Sequence, residues 1–471
     1  MSGTKKRVVF IEPSGEKTNV FDNYMKLPLM GSLFLGTVLD EAGYDVTILN
    51  ENILGRQIDP FEVRADVYCI TALTVSSSRA KLLAKQFEKL YPEALVIIGG
   101  IHASLRPEEY DGVGHHVVTG EAEGIIVDLV EGRFKERHVH GSKVEDLESL
   151  PLTNYSLLEN LHELEHIPLM SSRGCPFNCN FCAVTKVFGK KFRKLSAERL
   201  VAEMENGIAH SGNRHFFFYD DNFTADRKRI ERFCEIIEEK KLKVTWIAQV
   251  RSDLAKNPEL IARMVKAGLR WAFIGFETIN DEVLKAYHKG QTRADIERAI
   301  KTLHDHGVNI HGMFMFGEDH DTVEGMRETV DFAIDNEIET VQFMILTPFP
   351  GTVTYQQLED AGRLLHKDWD YYNGMYTVFR PKNMSAATLT EVTHKAYRRF
   401  YSARRTLMDT VQMITNVFLD ALVWNFERAD RYSMDIMLIR AGAKLIVSRQ
   451  AELTDSYTKY LKSLELKEVG K

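Results

Sequence analysis

The sequence predicts an α/β protein in three successive parts: a doubly wound, Rossmann-like parallel sheet, a partial (β/α)6 barrel of the TIM type, and a mainly helical C-terminal region. Two ladders of short β-rich runs alternating with helical patterns predict the first two parts. Loss of strand patterning after residue 352 predicts the third.

In the first ladder, RVVFIE, DVTILN, DVYCIT, ALVIIGG and HHVVTG are separated by helical stretches such as GSLFLGTVLDEAG and SRAKLLAKQFEKLY, which assigns residues 1–135 to one unit. TALTVSSS, GGIHAS and TGEAE each follow a strand and so fall at the carboxyl edge, where open α/β sheets bind ligands. Taken singly, each is a βα connection with Gly for its backbone freedom or Ser as a helix cap. Three on one edge indicate a crevice. No GxGxxG occurs, which argues against a dinucleotide site. Residues 136–165 lack a sustained period and are expected to be a linker.

The second ladder contains IPLMSS, RHFFFYD, VTWIAQV, WAFIGFE, NIHGMFMFG and TVQFMILTPF, with helical patterns between them, over residues 166–352. A repeated βα unit predicts a barrel with its chemistry at the carboxyl ends of the strands. Residues 353–471 place Arg, Met and aromatic side chains at helical spacing, read first as core packing. A docking face for a bulky apolar substrate or a membrane surface is the alternative.

With 44% apolar and 27% charged residues the composition is globular, and a net charge of −7 argues against a general nucleic-acid or phospholipid binder. No 18-residue apolar run is present; ITNVFLDALVWNF is broken by Asn416 and Asp420, which leaves at most peripheral membrane contact. The basic start MSGTKKRVVFIEPSG enters a strand pattern rather than an export signal, and five sparse cysteines suit a reducing cytoplasm.

Three of those cysteines lie within CPFNCNFC, directly after the first barrel strand. The spacing Cys175-x3-Cys179-x2-Cys182 lets a short loop wrap three thiolates around one face of a cluster. Cys69 and Cys234 fall in a strand and a helix and are read as buried thiols. Structural zinc wants four protein ligands, and His162 and His166 precede the strand. Three thiolates on a four-iron cluster would leave one iron open.

This motif, with Phe181 before its last cysteine, strongly resembles the radical S-adenosylmethionine (SAM) enzymes over residues 165–350. The resemblance implies a [4Fe-4S] cluster on Cys175, Cys179 and Cys182, whose open iron chelates the methionine end of SAM. Reductive cleavage would then yield a 5'-deoxyadenosyl radical. It further implies SAM contacts from Phe181, from Asp220, Asp221 and Asn222 after the second strand, from Gln249 and Arg251 beside Ser252 after the third, and from Glu277 after the fourth. In GMFMFGEDH, Met315 takes the Ile place of the family's adenine motif, while Met313 and His320 depart from its first Gly and its Glu.

A doubly wound unit ahead of a barrel carrying YDDNF, FIGFET and TPFPGT resembles the cobalamin-binding branch of that family, and DWDYYNGMYTVFRPKNMS resembles relatives of the anaerobic magnesium-protoporphyrin ester cyclase. The resemblance implies cobalamin at Thr74, Ser76, Ser77, Gly99, Gly100, His102, Gly120 and Glu121. The Asp-x-His-x-x-Gly motif that supplies histidine to cobalt is absent, so cobalamin is expected without a protein histidine ligand. His102 is carried as a loop contact and disfavoured as the axial ligand.

The implied function is functionalisation of an unactivated carbon, foremost by cobalamin-dependent methyl transfer. A radical oxidative cyclase or carbon-carbon coupling enzyme acting on a tetrapyrrole or lipid is the alternative. An iron-sulfur electron-transfer protein without turnover is the alternative of another class, but a carrier would give its cluster four protein ligands. The implied partners are a small-molecule or lipid-like substrate and a reductase such as flavodoxin or ferredoxin. The basic run KVFGKKFRK, 186–194, reads as a solvated turn, with a reductase dock through Lys190, Lys191 and Lys194 as the sharper reading.

Overall fold

The structure, a computed structural model, describes residues 5–15, 26–402, 405, 411, 415, 442–444, 447 and 454–466. The first sheet has six parallel strands: β1 (Arg7–Glu12), β2 (Asp45–Asn50), β3 (Val67–Thr71), β4 (Leu95–Gly99), β5 (His116–Gly120) and β6 (His138–Gly141). Their spatial order is β2-β1-β3-β4-β5-β6, which reverses direction beside β1 and opens a crevice at the carboxyl ends there. β6 falls in the stretch expected to be a linker. Its HVHG alternates exposed and buried residues, an edge strand too short and too polar to stand out by period.

Alternate residues of β1 serve two different cores. Val9 and Ile11 pack with Ala80, Leu83, Ala84 and Phe87 of the helix Ser77–Leu90. Val8 and Phe10 join Met30 and Leu33 of the helix Met30–Glu41 in a second core, which continues without a break into the barrel.

The barrel strands are β7 (Ile167–Leu169), then a short pair β8 (Ser172–Arg173) and β9 (Arg193–Lys194), then β10 (His215–Phe218), β11 (Thr245–Val250), β12 (Leu269–Glu277), β13 (Asn309–Phe316) and β14 (Thr340–Ile345). Six of them pair in parallel in the order β14-β13-β12-β11-β10-β7, while β8 and β9 pair antiparallel by themselves. Sequential order with unpaired ends makes this a partial barrel. Phe216, Phe218, Trp246, Ala248, Ile274 and Phe314 pack outward in the main core. The alternate face carries Phe217, Gln249, Phe273, His311, Met313 and Gln342, most of them half-buried along an open lumen.

β14 is one of the two edges, and the C-terminal region covers it. On the helix Ala386–Phe400, Tyr397 Oη accepts from Phe343 N at 3.0 Å; just beyond it, Tyr401 Oη accepts from Val341 N at 3.0 Å and donates to Val341 O at 2.9 Å. Sheet donors that would otherwise face solvent are thereby satisfied. The Arg and aromatic stripe thus begins as core packing; its stretch 416–441 lies outside the described residues. Among the described residues, no helix is long and apolar enough to cross a membrane.

Candidate functional site

β8 and β9 hold the two ends of the cysteine loop together, with Ser172 opposite Lys194 and Arg173 opposite Arg193. Inside the loop Cys175 N donates to Gly189 O at 3.3 Å, and Cys182 N to Cys179 O at 3.2 Å. All three thiols are free and half-buried, whereas Cys69 and Cys234 are buried in their cores. Burial pushes the Cys182 thiol up to about 12, although the Val184 amide donates to it. Burial likewise raises Cys175, with the Phe177 amide opposing. Among the described residues no three His, Cys, Asp or Glu side chains are gathered for a single ion. The basic run beside the loop is largely neutralised by its neighbours: Lys191 pairs with Glu145 at 2.6 Å, Lys194 with Asp226, and Arg193 is buried.

Around this loop stand the carboxyl ends of β10 to β13. The two aspartates after β10 differ sharply. Asp220 is fully buried and accepts from Ser171 N at 2.9 Å, from Ser171 Oγ at 2.7 Å and from Ser172 Oγ, with Arg229 Nη2 at 4.0 Å. Its oxygens are spent on the strand that launches the cysteine loop, so Asp220 holds that strand rather than facing the cleft. Asp221 is open to solvent, yet the surrounding protein and the neighbouring Asp220 raise its carboxyl to about 7. That combination marks a cleft-facing group. Asn222 is buried and takes Thr224 Oγ1 at 3.4 Å.

Arg251 lies over the Phe177 ring at 3.8 Å and donates to Lys289 O at 2.5 Å. Ser252 Oγ donates to Gln291 Oε1 at 2.6 Å, and Gln249 is half-buried on the lumen face. Glu277 ends β12 at φ 62°, a left-handed conformation that a bulky residue adopts only under constraint. Its carboxylate folds back onto Lys289 Nζ at 2.6 Å, and a Cβ on Gly275 would sit 2.4 Å from that carboxylate. Glycine at 275 leaves the space that the two side-chain ends occupy. Phe181 meets Tyr287 edge-on at 4.9 Å, and Met315 is buried on β13.

The first sheet's edge is less open than the sequence suggests. Ser76 and Ser77 are buried at the start of their helix, and Thr74 Oγ1 lies 3.3 Å from His102 Nδ1. His102 has no exposed surface; its Nε2 faces Glu109 at 3.5 Å and Trp369 packs against its ring at 5.1 Å. Burial lowers its pKa. Trp369 itself donates to Glu109 at 2.8 Å, so the segment after the barrel covers this corner and buries His102 and Thr74. Gly120 is exposed, but a Cβ there would meet Gly141 O at 2.5 Å, and one on Gly100, at φ 100°, would meet Ala72 O at 2.8 Å. Both glycines answer to the chain's own packing. Gly99 does not: nothing lies nearer its Cβ position than Val118 at 3.8 Å. Glu121, expected as a cobalamin contact, turns away from the edge onto Arg173 and Arg193.

Two family profiles match the chain: the B12 binding domain over residues 20–130 and the Radical SAM superfamily over residues 169–333, the latter containing the cysteine loop and the strand ends just described. The chain belongs to the cobalamin-binding branch of the radical SAM enzymes. Relatives of this radical SAM enzyme include the bacteriochlorophyllide d C-12(1)-methyltransferase of Chlorobaculum tepidum, 29% identical over 84% of this chain and 88% of that one. The anaerobic magnesium-protoporphyrin IX monomethyl ester cyclase of Cereibacter sphaeroides is 29% identical over 72% of this chain and 60% of its own length. In fold the enzyme matches OxsB, a cobalamin-dependent radical SAM enzyme, with TM-score 0.67, 14% identity, and coverage of 96% of this chain and 81% of that one. It also matches the methyltransferase TsrM of Kitasatospora setae, with TM-score 0.60, 17% identity, and coverage of 76% and 75%.

The residues present fit the cofactors of such an enzyme. Three free thiols on one pinned loop suit a cluster with an open iron. Asn180 Oδ1, Arg251 Nε and Tyr287 Oη, all beside that loop, are buried polar atoms without hydrogen-bond partners, as a site awaiting a polar ligand leaves them. The half-exposed Gly99 offers room at the sheet edge for cobalamin. Lys289, Tyr287 and His311 escaped the sequence reading. His311 was legible in principle, since alternation along β13 puts it on the lumen face. It stacks on Phe273 at 4.4 Å, has Nδ1 at 2.9 Å from Thr340 Oγ1, and burial lowers it to about 4.

Proposed function

We propose that this radical SAM enzyme transfers a methyl group to an unactivated carbon of a bulky, largely apolar small molecule of the tetrapyrrole type. The observation that carries the reading is the joining of the cysteine loop to the turn after β5 through Glu121, Arg173 and Arg193, which supports neighbouring stations for cluster and cobalamin. In this reading Cys175, Cys179 and Cys182 hold the cluster, and Asp221 and Arg251 offer opposite charges to the ammonium and carboxylate of SAM. Phe181 bounds the adenine side, with Met315 and the Glu277–Lys289 pair at its rim. Gly99 admits cobalamin to the sheet edge. When bound, the cluster and SAM supply one-electron chemistry that removes hydrogen from an unactivated C–H bond, and cobalamin supplies a methyl carrier.

The chain's own part is to bind, align and exclude water. Phe217, Phe273, Met313 and Met344 give the lumen an apolar, polarisable lining suited to a flat ring system. His311, held neutral by burial, adds one polar contact. The tetrapyrrole class is supported by the names of relatives that act on bacteriochlorophyllide and magnesium-protoporphyrin. The cyclase among them keeps an oxidative ring closure as the second reading. Anaerobic reconstitution with iron, sulfide and hydroxocobalamin, followed by turnover with chlorophyllide-type substrates, separates the two. Equal yields of 5'-deoxyadenosine and S-adenosylhomocysteine are expected for methyl transfer; 5'-deoxyadenosine without S-adenosylhomocysteine would select the cyclase.

A further inference from the structure

Both arginines of the β8–β9 pair reach out of the barrel to one carboxylate of the first unit. Glu121 Oε2 accepts from Arg173 Nη1 at 2.9 Å, from Arg193 Nη1 at 2.8 Å and from Val144 N at 2.9 Å. Glu123 Oε1 takes the other terminal nitrogen of Arg173 at 2.6 Å. Arg173, Arg193 and Glu121 are 4%, 3% and 7% exposed, so water cannot replace a lost partner. On the other side, Gly120 N donates to Ser104 Oγ at 3.1 Å, and Ser104 Oγ donates to Gly100 O at 2.9 Å. A contiguous run of bonds therefore leads from Gly100 on the sheet edge, through the Gly120–Glu121 backbone, to Arg173, two residues before Cys175.

We propose that Glu121 is a positioning residue that makes the pose of the cysteine loop depend on what occupies the Gly99–Gly100 edge. The proposal rests on the cobalamin reading above. Two separate ion pairs would serve for cohesion alone. Here both ends of the loop share one carboxylate, so displacement of the end of β5 moves both ends together. The element that responds is the loop pinned by β8 and β9, and the signal is a shift of the Gly100–Ser104–Gly120 run.

Two variants of the full chain with its reconstituted cluster test this. Glu121→Gln keeps the shape and removes the charge; Ser104→Ala breaks the run on the far side without touching an ion pair. In the wild type, hydroxocobalamin should slow hydrogen exchange of amides 174–192 by about fivefold or more. Ser104→Ala should bind hydroxocobalamin within about threefold of wild type yet lose that slowing. Glu121→Gln should lose it as well, and its loop should exchange about tenfold faster before any cobalamin is added. The EPR line shape of the reduced cluster, which a mere loss of stability would not move, should change on cobalamin addition in the wild type and in neither variant. Full retention of the slowing in both variants overturns the proposal, as does unchanged loop exchange in Glu121→Gln. If the wild type takes up no hydroxocobalamin, the cobalamin reading fails and the cobalamin-free loop exchange alone decides the positioning role. Should Glu121→Gln not fold, Ser104→Ala decides.

Discussion

Replacing each member of the Asp220–Asp221 pair by asparagine should give two opposite defects from adjacent positions. Asp220 accepts three hydrogen bonds from Ser171 and Ser172 and sits 4.0 Å from the buried Arg229. A bond to a charged acceptor contributes about 1.5–3 kcal/mol, and asparagine keeps one of the two oxygens while turning an amide NH2 toward the donors on the other. The Ser171 amide, alone on one oxygen, can keep it, but both serine hydroxyls sit on the other and must turn to accept from the new amide nitrogen, although Ser171 Oγ already accepts from Arg229. Arg229 meanwhile loses its counter-charge in a site that is 6% exposed. Together these place the cost of Asp220→Asn at about 3–5 kcal/mol, in the range for a broken buried pair. Asp221→Asn removes a carboxyl whose charged form the fold disfavours, so it should not destabilise the protein and should raise stability above pH 7. It should nevertheless weaken SAM binding by about tenfold or more, the loss of one charge-assisted contact. Urea unfolding followed by tryptophan emission reads the first effect, and equilibrium dialysis of SAM against cluster-loaded protein reads the second. An Asp220→Asn cost below about 1 kcal/mol, or equal SAM losses in both variants, would refute the division of roles.

Alanine at Cys175, Cys179 or Cys182 should remove most of the cluster's visible absorption and all 5'-deoxyadenosine formation, while Cys69→Ala and Cys234→Ala spare both; iron analysis checks this. Gly99→Leu should abolish hydroxocobalamin uptake in gel filtration with its fold intact, since only Val118 borders that position, whereas Gly100→Ala should lower the urea midpoint through its clash with Ala72. Glu12, buried behind Leu29 N and Asn50 Nδ2, has its carboxyl raised to about 7 from 4.5 by burial. Because the folded state holds the proton more tightly, its contribution is complete below pH 4.5 and is lost as pH rises through 7, roughly 3 kcal/mol in all. Urea midpoints at pH 5 and pH 8 should show this fall in the wild type, and Glu12→Gln should flatten it. Lys289→Met should strand the Glu277 carboxylate at its constrained φ; weaker SAM binding with normal iron is expected, and unchanged SAM affinity would remove the pair from the site.

The barrel strands were legible because a strand covered by helices reads as a near-continuous apolar run, as in RHFFFYD and NIHGMFMFG. Not so β8 and β9. Two residues apiece, SR and RK, have no period, and only their mutual pairing makes them strands. The cysteine motif was legible because its spacing is local. Which neighbouring carboxylate faces a ligand is not local: Asp220 and Asp221 look alike until Ser171, 49 residues earlier, claims one of them. The Lys289 partner of Glu277 lies 12 residues on, past a helix and a turn, and the Arg173 partner of Glu121 lies in another unit. The covering of His102 was hidden for the same reason, because the tryptophan over it comes from position 369.

The tyrosines over β14 also govern how copies of this protein behave toward one another. A partial barrel ends in a strand whose outer row of amides is a template for any passing extended chain. Here that row is stoppered by two phenol oxygens, from Tyr397 and Tyr401, and by the Gly374 carbonyl on Ile345 N, rather than by another strand. Solubility of the whole molecule therefore hangs in part on the tail of a helix far from the chemistry. Loss of those two hydroxyls would leave every candidate cofactor ligand in place while unpairing two edge amides, a change expected to favour self-association.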